Sequence, residues 1–204
     1  MKLKIYSKIS KPAIFIIAFL VILAVVFVVR FAFVNLDNKI IPNEFLEARN
    51  GASLIARNIV DSSDESAKKI EEISKLSNEE KYEEALNIVL QEINRNKETR
   101  NKAIELSKNL EKMVSNTAQI SPESSALIAI EAITIETTII NKLITYNDDL
   151  MQLLGVLKTK LLELDTNSHQ KIIDLVNKLN NEAKEVNASN EKFNEIMDKF
   201  DNSK

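Results

Sequence analysis

One glutamate of this sequence lies where a carboxyl group would be buried. The neighbours of Glu136 at helical spacing are the apolar residues Ala132, Ile139 and Leu143. A buried carboxylate is costly unless a cation pairs with it, and Arg95 or Arg100 in the preceding helical stretch is the candidate partner. The pattern predicts a ligand-binding or proton-sensing group, an ion pair that fixes the register of packed helices, or a residue near a hydrated end of the bundle.

Asparagine interrupts two further apolar seams, which are lines of side chains that one helix buries against another. Asn147 lies in the run Tyr146-Asn147-Asp148-Asp149, and Asn190 is the polar member of a seam near the end of the chain. In coiled coils a single asparagine in the seam sets register and partner choice. We predict that structural role for both residues.

The other polar clusters lack the spacing that metal binding needs. His169 is the only histidine of the chain, and no Glu-x-x-His spacing surrounds it, so an exposed position near a helix start is expected. Asp148 and Asp149 would bind calcium only if a loop wrapped around them, whereas the pattern continues as helix. The run Asp61–Ser66 lacks the glycine and the distal glutamate of an EF-hand.

Motifs for catalysis are also missing from the sequence. The two glycines, Gly51 and Gly155, are isolated in helical stretches and form no phosphate-binding loop. No serine lies in a nucleophile elbow. Asn187-Ala188-Ser189 fits a glycosylation acceptor, but the Lys-, Asn- and Ile-rich composition is typical of a bacterial protein. We therefore predict no catalytic, cofactor-binding or metal-binding residues and a protein that is not an enzyme.

The elements that position these residues must be long helices. The chain has 204 residues with only 2 glycines, 3 prolines, 5% aromatic residues and no cysteine. So few turn-forming residues favour long helices over folds rich in turns, and the absence of cysteine excludes disulfides and Cys-based zinc sites.

An uninterrupted apolar segment precedes the helical region. No charged or strongly polar residue occurs from Pro12 to Val29, and the segment extends through Arg30 to Val34. Some 18 to 23 residues of helix span roughly 27–35 Å, enough to cross a bilayer. A cleaved signal peptide is the alternative, but the apolar run is too long for one and no small-x-small cleavage site follows it. We predict a transmembrane anchor at residues 12–34, with Arg30 reaching the outer headgroups.

Charge predicts the orientation of this anchor. Five of the 27 basic side chains lie before residue 35 and none of the 30 acidic ones does, which leaves 22 basic and 30 acidic side chains, a net charge of −8, in the remainder. The basic tail at residues 1–11 therefore stays in the cytoplasm, residues 35–43 form a hinge, and residues 44–204 form an extracytoplasmic domain. An acidic domain has no attraction for nucleic acid.

Four helical stretches are expected in the outer domain. The first runs from Pro42 to Leu76, and either breaks or stays exposed at Asp61–Ser66. The second begins at Ser77, where Ser77-Asn78-Glu79-Glu80 matches a capping box, and ends near Asn116. The third begins at Ser121-Pro122-Glu123, and the fourth near Ser168. Short loops between the last three predict an antiparallel bundle of three or four helices, with the first helix either packed into it or standing free as a stalk.

Apolar spacing predicts which side chains each helix buries. The predicted seams are Phe45, Ala48, Ala52, Ile55, Ile59, Ala67, Ile70 and Ile73 in the first helix; Tyr82, Leu86, Val89, Ile93, Asn96, Arg100, Ala103, Leu110 and Val114 in the second; and Ile172, Val176, Leu179, Ala183, Val186, Asn190, Phe193, Met197 and Phe200 in the fourth. The third helix has two seams, one of which includes Ile130, and only a narrow polar stripe, which includes Asp149. Two seams predict that the third helix is the core helix of the bundle.

These features together predict an all-α protein in which a transmembrane helix is followed by an elongated, coiled-coil-like antiparallel bundle. We expect a membrane-anchored scaffold or interaction protein of the bacterial cell envelope, in the cytoplasmic membrane with its N-terminus inside. Its partners are the lipid bilayer, through residues 12–34, and either another envelope protein or its own copies. The alternative is a sensory or ligand-binding accessory subunit, which one closed pocket lined by Glu136 and Asn147 would favour.

Overall fold

Four long α-helices make up nearly all of the part of the chain that the structure, a computed structural model, describes, namely residues 40–163 and 168–203. They are α1 (Asn43–Asn78), α2 (Tyr82–Asn116), α3 (Glu123–Glu163) and α4 (Ser168–Asn202), and a 3-10 turn at Thr117–Gln119 follows α2. Helices of this length extend about 50–60 Å at roughly 1.5 Å per residue. The predicted all-helical bundle is confirmed, and the described residues form four helices of it.

The predicted anchor at residues 12–34 lies outside the described residues, as do the basic tail at 1–11 and the first part of the hinge. None of the helices within 40–163 and 168–203 combines the length and the apolar character needed to cross a membrane.

The first helix packs into the bundle and does not stand free as a stalk. It lies against α2 along its length, and its first turns reach α4, where Phe45 meets Phe200 with ring centroids 6.2 Å apart. The run Asp61–Ser66 continues the helix without a break, and Ser66 is buried. α1 therefore completes the bundle, which resolves two alternatives that the sequence left open.

We call the end where α1 begins and α4 ends the proximal end. Ile40 pairs there with Ser121, just before α3: the Ile40 N–H donates to the Ser121 carbonyl at 3.1 Å, and the Ser121 N–H donates to the Ile40 carbonyl at 3.0 Å. The backbone groups of Ser121 are thus used in this pairing. α3 begins at Glu123, and the N–H groups of its first turn bond to the Pro122 carbonyl.

The capping box at Ser77 was a wrong prediction. Ser77 belongs to the last turn of α1, and α2 begins only at Tyr82. Lys81 donates its N–H to the Leu76 carbonyl at 2.9 Å, Glu80 donates to Ser77 at 3.3 Å, and Glu80 adopts a positive φ of 61°. This pattern is a Schellman C-cap. The buried side chain of Leu76 extends α1 past the point where the local sequence favoured a helix start.

Seam predictions were accurate for α1 and α4 and less accurate for α2 and α3. Nearly all predicted seam residues of α1 and α4 are buried, including Asn190. In α2 the buried line shifts by one position, so that Met113 is buried and Val114 is half exposed. In α3, Ile130 is exposed and Asp149 is buried, both contrary to prediction. Both helices carry apolar residues on adjacent lines, and the tertiary packing selects between them.

Two apolar cores occupy the two halves of the bundle. The proximal core contains aromatic and sulfur-containing side chains together with aliphatic ones, and its larger members include Phe45, Leu106, Leu110, Met113, Ile133, Ile140, Phe193, Met197 and Phe200. The distal core is aliphatic, with Ile70, Ile73, Val89, Leu150, Leu153, Leu154, Leu157, Leu175 and Leu179 among its members. Buried polar residues separate the two cores along the bundle axis.

Candidate functional site

The Glu136 carboxyl group is buried in the proximal core. Glu136 is only 6% exposed, and its Oε2 atom has no hydrogen-bond partner in the described part of the chain. The expected cations lie elsewhere: Arg95 pairs with Glu65 and Glu92, and Arg100 pairs with Asp148. The predicted ion pair with Glu136 is therefore wrong. The sequence correctly predicted the burial of Glu136. The positions of the two arginines along the bundle axis depend on the register between the helices, which the sequence does not reveal.

A small cavity adjoins Glu136. α1 contributes Phe45, Ala52 and Ser53; α2 contributes Leu110 and Met113; α3 contributes Ala129, Ala132 and Ile133; and α4 contributes Phe193, Met197 and Phe200. None of these side chains is titratable. The cavity leaves about 20 Å³ for the centres of water-sized molecules, which is room for about one water. It does not accommodate an organic ligand.

Burial changes the acid strength of Glu136. Desolvation of the carboxylate raises its pKa from 4.5 to about 7, and no charged group contributes to the shift. The buried ion pair of the proximal core, Arg49 with Asp201, therefore does not contribute to the pKa shift of Glu136. A carboxyl group that binds its proton near neutral pH is suited to respond to pH.

The buried arginine of the proximal core, Arg49, was missed in the sequence. It is 2% exposed, its Nη2 atom donates to both carboxylate oxygens of Asp201 at 3.3 Å, and its guanidinium lies 5.7 Å from the centre of the Phe200 ring. Arg49 follows Phe45 by four residues, so the helical spacing could have revealed it. This contact ties the first turns of α1 to the last turn of α4.

Between the two cores, Asn96 and Asn147 join α2 to α3. Asn96 donates its side-chain amide to the Asn147 carbonyl at 3.0 Å, and Asn147 donates its own to the Asn96 carbonyl at 3.0 Å and also to the Asn96 side-chain oxygen. This reciprocal pairing of side chain with backbone is possible at one register only. The predicted register role of Asn147 is thus supported by its contacts.

Other polar contacts join neighbouring helices near Asn96 and Asn147. We call these contacts, together with the Asn96–Asn147 pair, the polar layer. Ser62 on α1 and Thr99 on α2 share a hydroxyl hydrogen bond of 2.7 Å, and Arg95 on α2 meets Glu65 on α1 at 2.8 Å. A second small cavity, lined by Asn96, Asn147 and Tyr146 among others, lies in the layer and is also limited to about 20 Å³. Glu136 and Asn147 therefore line two separate cavities and not one closed pocket.

Asp149 forms the contact of the polar layer between α3 and α4. The Oδ1 atom of its buried carboxylate accepts from Lys178 at 2.8 Å and from Gln152 at 3.1 Å. Burial alone would raise the pKa of Asp149, but hydrogen bonds with Glu182 and Lys178 lower it. Burial and the neighbouring Asp149 raise the pKa of Glu182 to about 7. Asp149 therefore keeps its charge next to Lys178, whereas Glu182, like Glu136, binds a proton more readily than an ordinary glutamate.

The remaining candidates from the sequence are distributed over the surface. His169 is exposed in the first turn of α4, and Asp148 is exposed beside Arg100. Asn187-Ala188-Ser189 lies within α4, where the Ser189 hydroxyl donates to the Glu185 carbonyl at 2.9 Å. No group of three or more metal-binding side chains forms among the residues that the structure describes. Arg30 lies outside those residues.

An uncharged strip on the outer surface of α3 is the other unusual feature. We call it the α3 stripe: Leu127, Ile130, Thr134, Thr137 and Asn141. The two apolar side chains are 60% and 44% exposed, respectively. The Thr134 and Thr137 hydroxyls donate to the carbonyls of Ile130 and Ile133, both at 2.8 Å, so they need no outside partner. The sequence pattern had placed Ile130 in a buried seam.

Comparisons of the chain with protein-family models, with the sequences of curated proteins and with solved structures found no match.

Proposed function

We propose that the protein is a membrane-anchored scaffold of the bacterial cell envelope, which binds another protein or its own copies through an amphipathic helix face. The observation that carries this proposal is the α3 stripe, a partly apolar row of five exposed residues along one helix, none of which is charged. Isolated apolar residues on a surface are ordinary, but a row of uncharged residues along one helix is typical of a docking face.

The closed interior supports the same proposal. Both cavities beside the buried polar groups hold about one water each. A ligand-binding subunit would use one larger pocket, with Glu136 and Asn147 facing the same space. Because the two residues line separate cavities, the ligand-binding alternative has less support than the scaffold.

The proposed anchor rests on the sequence of residues 12–34, and Ile40 is the first described residue after it in the chain. Ile40 is held at the proximal end by Ser121, and only residues 35–39 separate it from the apolar segment. Five residues reach roughly 17 Å when fully extended. An anchor at 12–34 therefore holds the proximal end close to the bilayer.

Membrane fractionation of the full-length chain tests this proposal. The protein should remain with the membranes after alkaline carbonate washing, whereas Leu23→Arg within the apolar segment should increase the fraction that is released. Arginine at the centre of a membrane helix costs about 2.5–3.5 kcal/mol on insertion scales. The matched control, Ile173→Arg, changes an exposed residue of α4 and should leave the protein in the membrane fraction.

The orientation is tested by adding protease to intact spheroplasts. Digestion of the bundle from outside is expected for an extracytoplasmic domain. A bundle that survives in intact spheroplasts but is digested after lysis would contradict the proposed orientation.

A further inference from the structure

The α3 stripe has the spacing of a coiled-coil seam. Its five residues follow one another at intervals of three, four, three and four, and none of them is charged. The stripe begins four residues into α3, close to the proximal end, where Val114 of α2 is also half exposed. It then runs along the bundle axis. This direction means that a bilayer beneath the proximal end would not cover the stripe.

The size of the stripe limits what occupies it. From Leu127 to Asn141 it extends roughly 21 Å at about 1.5 Å per residue, and a strip one helix wide covers a few hundred Å² at most. A stable complex in solution buries roughly 800 Å² on each partner. The stripe is therefore too small to hold freely diffusing molecules together, but tethering both partners in one membrane raises their effective concentration without any added contact.

We propose that the α3 stripe is a parallel, two-fold contact between two copies of this chain anchored in the same membrane. This inference depends on the proposed anchor. Because the anchor precedes the same end of the bundle in both copies, the two bundles stand side by side in the same direction. In a parallel two-fold contact each residue meets its own counterpart, so Asn141 pairs with Asn141 and Ile130 packs on Ile130. An asparagine in the seam of a parallel dimer makes that self-pairing and fixes the register.

The absence of cysteine from the chain makes disulfide cross-linking a direct test. Ile130→Cys and Asn141→Cys are introduced singly into the full-length protein, and the membranes that contain it are oxidised mildly. The matched control is Leu54→Cys, at an exposed apolar residue of α1 in the same half of the bundle. Each stripe variant should form a disulfide-linked dimer with a yield about fivefold or more above the control, a ratio that corresponds to about 1 kcal/mol.

The geometry is tested by mixing the variants. A parallel contact links each stripe variant to itself. An antiparallel contact would link the two variants only when they are mixed, and that outcome would overturn the parallel arrangement. Equal yields at Leu54 and at the stripe would overturn the contact itself.

A charge placed in the stripe gives a second readout. Thr134→Glu brings two like charges together across the two-fold axis, and it should reduce the cross-linking of Asn141→Cys by about fivefold or more. Leu54→Glu should leave it unchanged. Undiminished cross-linking with Thr134→Glu would overturn the proposal. Both substitutions are at exposed positions, so the fold tolerates them.

The same samples separate failure of the inference from failure of the anchor. Monomeric protein in the membrane fraction would overturn the dimer contact and leave the anchor in place. Protein that fractionates as soluble would overturn the anchor, and with it the tethering on which the inference rests.

Discussion

The two halves of the bundle treat buried charge differently. In the distal half and in the polar layer, buried ionic groups have counterions: Asp149 has Lys178, and Glu92 has Arg95. In the proximal half, Glu136 lies in an apolar surrounding with no such partner. The distal core is aliphatic and its stability is expected to be insensitive to pH, whereas the stability of the proximal core depends on whether Glu136 holds its proton. The proximal half thus contains a buried group that binds a proton near neutral pH, whereas the buried side chains of the distal core contain none.

The largest expected effect concerns the distal half. Leu154→Ala removes a side chain that is 1% exposed and leaves a cavity among other leucines. We expect it to lower the free energy of unfolding by about 3–5 kcal/mol, equally at pH 4.5 and pH 7.5. Urea unfolding of the full-length protein in mild detergent measures this loss. Leu162→Ala, at an exposed leucine of the same helix, is the control and should change stability by about 0.5 kcal/mol or less.

The next effect concerns the pH dependence that Glu136 gives to the proximal half. Its pKa in the folded protein is about 7, above the ordinary value of 4.5. Between these values the folded state binds more protons than the unfolded one, so stability is highest at low pH and falls as the pH rises towards 7. The shift corresponds to about 3 kcal/mol. Glu136→Gln should therefore be about 3 kcal/mol more stable than the natural protein at pH 7.5 and nearly equal to it at pH 4.5.

The control for this comparison is Glu131→Gln, at an exposed carboxylate five residues earlier on α3. The difference between natural protein and Glu131→Gln should not vary with pH. If Glu136→Gln also showed a difference independent of pH, the proximal half would not depend on that proton. Other carboxyl groups, including Glu182, contribute equally to the compared proteins and cancel in the difference.

A smaller effect is expected in the polar layer that separates the two halves. Asn147→Ala removes the donor to the buried backbone carbonyl and side-chain oxygen of Asn96, whereas the Asn96 amide keeps the backbone carbonyl of residue 147. We expect a loss of about 1–3 kcal/mol. A double-mutant cycle with Asn96→Ala should show that the two losses are not additive. Asn177→Ala, at an exposed position of α4, should leave stability unchanged or slightly higher. Full additivity would mean that the two residues do not act as a pair.

The smallest effect compares the single glycine of each half. A Cβ atom added at Gly155 in the distal half meets no atom within 4 Å, so Gly155→Ala should raise stability by about 0.8–1.0 kcal/mol through helix propensity alone. At Gly51 in the proximal half the added atom would lie 2.9 Å from the Asn109 side-chain oxygen, which must then move. Gly51→Ala should gain less. Thermal unfolding followed by circular dichroism distinguishes the two variants, and an equal gain would contradict the close approach of α1 and α2.

Much of the fold followed from local pattern. The seams of α1 and α4 were predicted almost residue by residue because each has a single apolar line on a polar background. α2 and α3 were less predictable because they have apolar residues on adjacent lines. The capping box at Ser77 failed for a related reason, since a good local start signal lost to the burial of Leu76 at the end of the preceding helix.

The candidate site divides in the same way. The burial of Glu136, Asn147 and Asn190 was predictable, because each interrupts an apolar seam at helical spacing. The partners were not predictable. Arg95 pairs with Glu65 of α1 and Arg100 with Asp148 of α3, so neither pairs with Glu136. Asp149 is buried and pairs with Lys178 of α4. The sequence by itself determined the helices and the polar residues that they bury, because both are encoded by spacing within one helix. Only the tertiary structure decided which buried charges are paired and which face of α3 remains open, because both depend on the register between helices that are distant in sequence.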